Sequence, residues 1–184
     1  MAARKSPRQR NTPKLIAGKQ SPPTASRPHM PGYLSADTKG LLSWTWAEDR
    51  LKKSREYWIA TTRPDGSPHV MVVGGLWWDG AFCFSTGSQS RKARNLEANP
   101  KCVICNELAD QAVVVEGTAG RMRDIARIRE FLSMYQRKYK FDMSAMAAGM
   151  ISLKEPVFVV RPQVVFGQVE KTFSTTATRW KFET

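Results

Sequence analysis

The 184-residue sequence predicts a mainly β fold with added helices, an antiparallel barrel rather than an open parallel sheet. Short runs of strand formers recur between Pro, Asp and Gly turns, at a spacing suited to hairpins. Strands and helices do not alternate as βαβ units, and no internal repeat is visible. The length suits one domain with a real core.

The first 39 residues stand apart. They hold six of the eleven prolines and a net charge of +7 out of the chain's +13. Such a segment cannot bury enough apolar surface to offset its ordering entropy. Residues 1–39 are therefore expected to be a disordered basic tail, either a tether for nucleic acid or an acidic partner or a solubilising extension. Residues 40–184 form the barrel domain, with order beginning near Gly40. No apolar run approaches the roughly 20 residues of a membrane span, and no signal-peptide pattern opens the chain, so a cytoplasmic protein is expected.

From Leu41 the pattern is amphipathic. A helix over 45–54 fits Leu41, Leu42, Trp44, Trp46 and Leu51, with Thr45 as N-cap and Glu48 three residues on. Strand 57–62 follows and closes on the turn Pro64-Asp65-Gly66, leading into strand 69–77. Asp79-Gly80 turns that strand into the next, 82–86. A helix over 90–98 stops at Asn99-Pro100. Segments 101–106 and 112–118 read as a hairpin, and 124–139 as a helix with Ile125, Ile128, Phe131, Leu132 and Tyr135 on one face. Residues 141–150 hold a short Met- and Ala-rich helix whose methionines line core or pocket. Strands 157–160, 163–170 and 178–182 complete the barrel.

Catalytic groups are sparse. His29 lies in the tail and His69 at a strand start, and neither a Walker loop nor a Gly-x-Gly-x-x-Gly is present. Hydrolytic chemistry is disfavoured. Cys102 and Cys105 make a C-x-x-C, but on a strand residues three apart point to opposite faces, so packed thiols are expected and no metal site. Gly74-Gly75 marks close approach by a ligand or another backbone. The segment from Ser85 to Asn95 differs. Ser85 and Thr86 end a strand, Ser88 and Ser90 add hydroxyls, and Arg91 and Lys92 open a helix with Asn95 one turn on. A helix start with hydroxyls and cations suits a phosphate, although the same residues also suit a capped surface helix.

These residues carry a resemblance. The ordered set Tyr57-Trp58-Ile59-Ala60-Thr61, Asp65-Gly66-x-Pro68-His69, Trp77-x-Asp79-Gly80, Phe84-Ser85-Thr86, Ser90-x-Lys92-x-x-Asn95-Leu96, Asn99-Pro100 and Thr178-Arg179-Trp180-x-Phe182 resembles the pyridoxamine 5′-phosphate oxidase-like superfamily. Within it the chain is most similar to the flavin- and deazaflavin-dependent oxidoreductases. The likeness covers residues 41–184 and implies a split β-barrel of the FMN-binding type. It also implies a homodimer with cofactor at the subunit interface, and a small-molecule substrate. The phosphate of FMN or of coenzyme F-420 (8-hydroxy-5-deazaflavin) would sit at Thr86, Ser90, Arg91 and Lys92, with Ser85 and Asn95 also among the cofactor-binding residues. His69, Val70, Met71, Val72 and Val73 would run beside the tricyclic ring, and Trp77, Arg179 and Trp180 would approach the ring or substrate. The Arg-rich substrate residues of vitamin B6 oxidases are not clearly present.

The expectation is an oxidoreductase that uses a deazaflavin or FMN to transfer hydride to a small unsaturated or conjugated substrate. Two alternatives stand beside it. One is a flavin-binding carrier or sensor without turnover. The other is a nucleic-acid-binding barrel that uses the basic tail and exposed tryptophans.

Overall fold

The computed structural model describes residues 22–34 and 37–183. Nine strands and five α-helices are found among them. In chain order these are β1 (Thr24–Ser26), α1 (Trp44–Lys53), β2 (Glu56–Thr62), β3 (Pro68–Gly74), β4 (Leu76–Trp78), β5 (Ala81–Ser85), α2 (Arg91–Ala98), β6 (Lys101–Asn106), β7 (Val113–Arg121), α3 (Ile125–Tyr139), α4 (Ser144–Ile151), β8 (Val157–Gly167), α5 (Phe173–Thr176) and β9 (Thr178–Lys181).

All pairings are antiparallel, along the path β1-β9-β8-β7-β6-β2-β3. The split lies on β8. One edge of this strand pairs with β7, while the other is shared: Val157 to Val160 pair with β5, and Val164 to Gly167 pair with β9. Strands 157–160 and 163–170 of the sequence reading are therefore one strand ending at Gly167. Pro162 lies inside it at the register shift between Glu116 and Gly117, where a ladder tolerates a missing N–H. A Cβ on Gly117 would lie 2.3 Å from the Arg161 carbonyl oxygen, so the two backbones close up because that position has no side chain.

Burial explains why β5 and β8 read as unbroken apolar runs. Phe82, Phe84, Phe158 and Val160 face the barrel interior, with Tyr57, Ile59, Ile104 and Trp180. Ala81, Cys83, Val157 and Val159 face a second core under α3 and α4, with Phe131, Met143 and Met150. Each strand is covered on both faces, and alternation disappears.

Turn chemistry fixes the hairpins. Asp79 and Gly80 both adopt positive φ, 50° and 67°, the two-residue turn whose twist matches its strands. Before β3, Gly66 at φ 86° follows a turn that Asp65 ties down by accepting from Ser67 N at 2.9 Å.

Two expectations change here. Helix α1 is capped by Ser43, whose Oγ accepts from Trp46 N at 3.2 Å, and Thr45 lies inside the helix. The earlier start sets Trp44 edge-on to Trp77, Trp180 and Phe182, with ring centroids 5.0 to 6.0 Å apart. Each such contact is worth about 0.5–1.5 kcal/mol beyond area burial. Order also begins before Gly40. Residues 24–26 pair with β9, and Arg27 donates to the carbonyls of Asp37, Lys39, Thr175 and Ala177 at 2.7 to 3.3 Å. One guanidinium that closes four carbonyls offsets the low apolar content of its segment. The remainder of the expected tail, residues 1–21 and 35–36, lies outside the described residues.

Candidate functional site

Helix α2 begins where β5 ends. Ser90 caps it, accepting from Ala93 N at 3.2 Å, and its Oγ lies 3.1 Å from Thr86 Oγ1. The first N–H groups of α2 point out of the helix without intrahelical partners, beside Arg91 and Lys92. Arg91 is exposed and Lys92 half-buried. Neither has a hydrogen-bond or ion-pair partner among the described residues. Burial holds the Lys92 amine below the usual lysine range.

His69 on β3 joins this group. Its imidazole is held below its ordinary pKa first by burial and then by the charges of Arg63, Lys92 and Arg91. Arg63, in the turn before β3, is thus a third cationic position, beside Arg91 and Lys92, that sequence reasoning missed. Only its place beside a Pro-Asp-Gly turn could have signalled it.

Strand β3 ends the sheet path, so one of its edges has no strand partner among the described residues. Val70, Met71 and Val72 are 42 to 49% exposed. Register places Val70 and Val72 opposite Ala60 and Trp58, and those opposite Val103 and Cys105. A continuous apolar strip therefore crosses the outer face of three strands, with Trp58 also 49% exposed.

Several expected site residues lie elsewhere. Asn95 is turned inward with Ala93 and Leu96, 1% exposed, and donates to Thr61 Oγ1 at 3.0 Å, tying α2 to β2. Val73 packs in the barrel core. Trp77 and Trp180 are also core residues, because alternation points both inward, and Trp77 donates its indole N–H to Glu48 at 3.3 Å. Arg179 donates to Ser26 Oγ at 3.2 Å across the β1–β9 pair and so belongs to the strand edge. Gly74 and Gly75 accommodate aromatic side chains, and at Gly75 the backbone of β5 also comes close, a Cβ there lying 3.0 Å from the Cys83 carbonyl oxygen. A Cβ on them would meet Tyr135 Oη at 2.4 Å and Phe82 Cζ at 2.2 Å.

The cysteines occupy opposite faces of β6 as strand geometry requires. Cys102 is in the core and Cys105 on the outer face, and burial pushes the thiols of Cys83 and Cys102 up to about 12. Among the described residues no group of His, Cys, Asp or Glu is placed to hold a metal.

Beside Ser85, Thr86 and Gly87 a cleft of about 460 Å³ opens toward α3 and α4. Tyr135, Phe141, Met143, Met146 and Met150 wall it, and Glu155 closes one side. The Glu155 carboxylate accepts from Ser88 N at 2.5 Å and from Ser88 Oγ at 3.2 Å, which commits Ser88 to the protein itself. Glu155 gives no motif signal in the sequence, and only the fold brings it to residue 88.

The donor set left open is cationic and points outward, and it fits a phosphate. Arg91, Lys92, the Thr86 hydroxyl and the free N–H groups of α2 suit a dianion better than any neutral ligand.

A family profile described as pyridoxamine 5′-phosphate oxidase matches residues 46–168. A pyridoxine/pyridoxamine 5′-phosphate oxidase from Rubrobacter xylanophilus is 38% identical over 84 residues. That match takes in 41% of this chain and spans only 38% of the relative's length. Among solved structures, an F-420 reductase superimposes with a TM-score of 0.51 at 24% identity, covering 64% of this chain and 94% of that one. HutZ, a heme storage protein from Vibrio cholerae, gives 0.55 at 18% identity, covering 67% and 93%. These likenesses establish the split-barrel fold.

Proposed function

The chain belongs to the pyridoxamine 5′-phosphate oxidase family, and we propose that it is an oxidoreductase that holds FMN or coenzyme F-420 and serves a small unsaturated or conjugated substrate. The observation that carries this reading is Lys92. A half-buried amine without a carboxylate partner, beside Arg91 at a helix start, is an anion site waiting for its charge. Bound at this site, either cofactor would supply the hydride chemistry that a chain so poor in acid–base groups lacks.

The chain's own part is to bind and to orient. Arg91 and Lys92 hold the phosphate, with Thr86 as a hydroxyl donor. The free edge of β3 would offer the ring backbone N–H and C=O groups of alternate residues between His69 and Gly74. The apolar strip from Val72 through Trp58 to Cys105 is closed by a second copy of this chain, which dries the site and makes the protein a homodimer. Free thiols at Cys83, Cys102 and Cys105 suit a reducing, cytoplasmic setting, and no helix among the described residues is long and apolar enough to cross a membrane.

Titrating FMN and coenzyme F-420 side by side, followed by absorbance, tests the reading. One of them is expected to bind, to lose affinity in Lys92→Ala, and in reduced form to be reoxidised by an electron-accepting substrate. A protein that binds neither, but binds an oligonucleotide in a salt-sensitive way, overturns it.

A further inference from the structure

The cleft under α4 has a chemistry opposite to that of the α2 start, although the two are joined by the Thr86 to Ser90 contact of 3.1 Å. Three methionines and two aromatic rings give it an adaptable, polarizable wall suited to flat rings. Its volume of about 460 Å³ lies in the range of small-ligand sites. No Arg or Lys lines it, so no cation there can offset the charge of a phosphate or carboxylate on the ligand. Its one carboxylate, Glu155, lines the cleft and accepts from Ser88 through both oxygens, which leaves acceptor capacity on each. Helix α4 makes room for it: a Cβ on Gly149 would lie 3.0 Å from Glu155 Cγ. Burial keeps the Tyr135 phenol above its ordinary pKa, so it faces the ligand uncharged.

We propose that this cleft is the substrate subsite and that Glu155 sets its specificity, selecting a planar aromatic molecule with a positive charge or strong hydrogen-bond donor and rejecting anionic ones. Its role as the substrate's place rests on the oxidoreductase reading above, whereas its charge preference does not. Glu155 is a specificity-determining residue here, and Ser88 positions it.

Two probes of equal shape and opposite charge test this, naphthalen-2-ylmethylammonium and 2-naphthoate, titrated calorimetrically into the full chain without cofactor. The ammonium is expected to bind about tenfold more tightly. Glu155→Gln keeps an acceptor for Ser88 N and should bring the two affinities within about twofold of each other. Met146→Arg, at an exposed rim position, should weaken the ammonium by about tenfold through blockage and repulsion. Equal binding of the two probes by the unaltered protein, or a preference that survives Glu155→Gln, overturns the proposal. The same titrations after loading with FMN or coenzyme F-420 separate the two readings. Charge preference without cofactor binding removes the oxidoreductase reading alone, and cofactor binding without charge preference removes the cleft assignment alone.

Discussion

Two half-buried lysines show how differently one side chain can be used in this fold. Lys138, near the end of α3, donates to Tyr57 Oη at 2.9 Å and to the Gly75 carbonyl at 2.8 Å. Its neighbour Tyr139 accepts from Gly75 N at 2.7 Å, so the peptide groups at the break between β3 and β4 are anchored by α3 from both sides. Lys92, at the start of α2, has no hydrogen-bond or ion-pair partner among the described residues. Burial lowers both amines, Lys138 to about 8. A desolvated cation with its bonds made is architecture, and one with its bonds open is a binding group.

The largest effect should come from Gly75→Ala, which attacks the anchored end. The new Cβ would sit 2.2 Å from Phe82 Cζ, and that ring is packed against Tyr57 at 4.5 Å and Phe84 at 5.9 Å. A loss of about 3 kcal/mol is expected. At about 2–4 °C per kcal/mol for a chain of this size, the melting temperature should fall by roughly 6–12 °C. A fall below about 2 °C would show that the junction is not rigid.

Lys138→Met should cost about 2 kcal/mol by removing one donor each from the Gly75 carbonyl, which is left with Tyr139 Oη at 3.1 Å, and from Tyr57 Oη. Cofactor affinity should stay within about twofold, and a large loss of binding with an unchanged melting curve would reverse the roles given to the two lysines.

Lys92→Ala should behave the other way round. Affinity for FMN or coenzyme F-420 drops about tenfold, near 1.4 kcal/mol, while the melting temperature moves by less than about 1 °C. Equal affinity in variant and parent would remove Lys92 from the phosphate site.

The smallest effect is a pH slope. Burial is the main reason the Lys138 amine sits near 8, with Arg55 adding to it and Glu107 and Glu56 opposing it. Above about pH 8 the unfolded chain still holds this proton and the folded chain has released it, so this group's contribution to stability rises with pH. Burial keeps the phenols of Tyr57 and Tyr139 above their ordinary value of 10, so their contribution falls once the unfolded chain ionises. Between about pH 8 and 10 the parent should therefore gain melting temperature relative to Lys138→Met, and a parallel pair of curves would show that the amine is not desolvated.

How much was legible from sequence depends on how local each cause is. Strand β6 at Lys101–Asn106 and the Asp79-Gly80 turn follow from alternation and turn chemistry, and the fold has them where expected. The Ser90 cap of α2 is equally local, one hydroxyl and an N–H three residues away. The inward turn of Asn95, Trp77 and Trp180 was not legible, because a motif gives spacing along a chain and not the face that packing buries. Strand β1 was missed for a related reason. Thr24-Ala25-Ser26 has weak strand propensity and is held by the β9 edge and by Arg27, contacts that span about 150 residues.

The sequence by itself determined a mainly antiparallel barrel, its turns, two of its helix starts and a cationic helix terminus next to hydroxyls. Those features arise from periodicity, backbone preference and neighbouring residues. Only the tertiary structure decided which lysine is spent and which is open, and that β8 is shared by two partners on one edge. It also set Glu155 against Ser88 across 67 residues, closing a Met-lined cleft beside the start of α2. Such pairings depend on long-range burial and register, and no short window of sequence contains both halves of them.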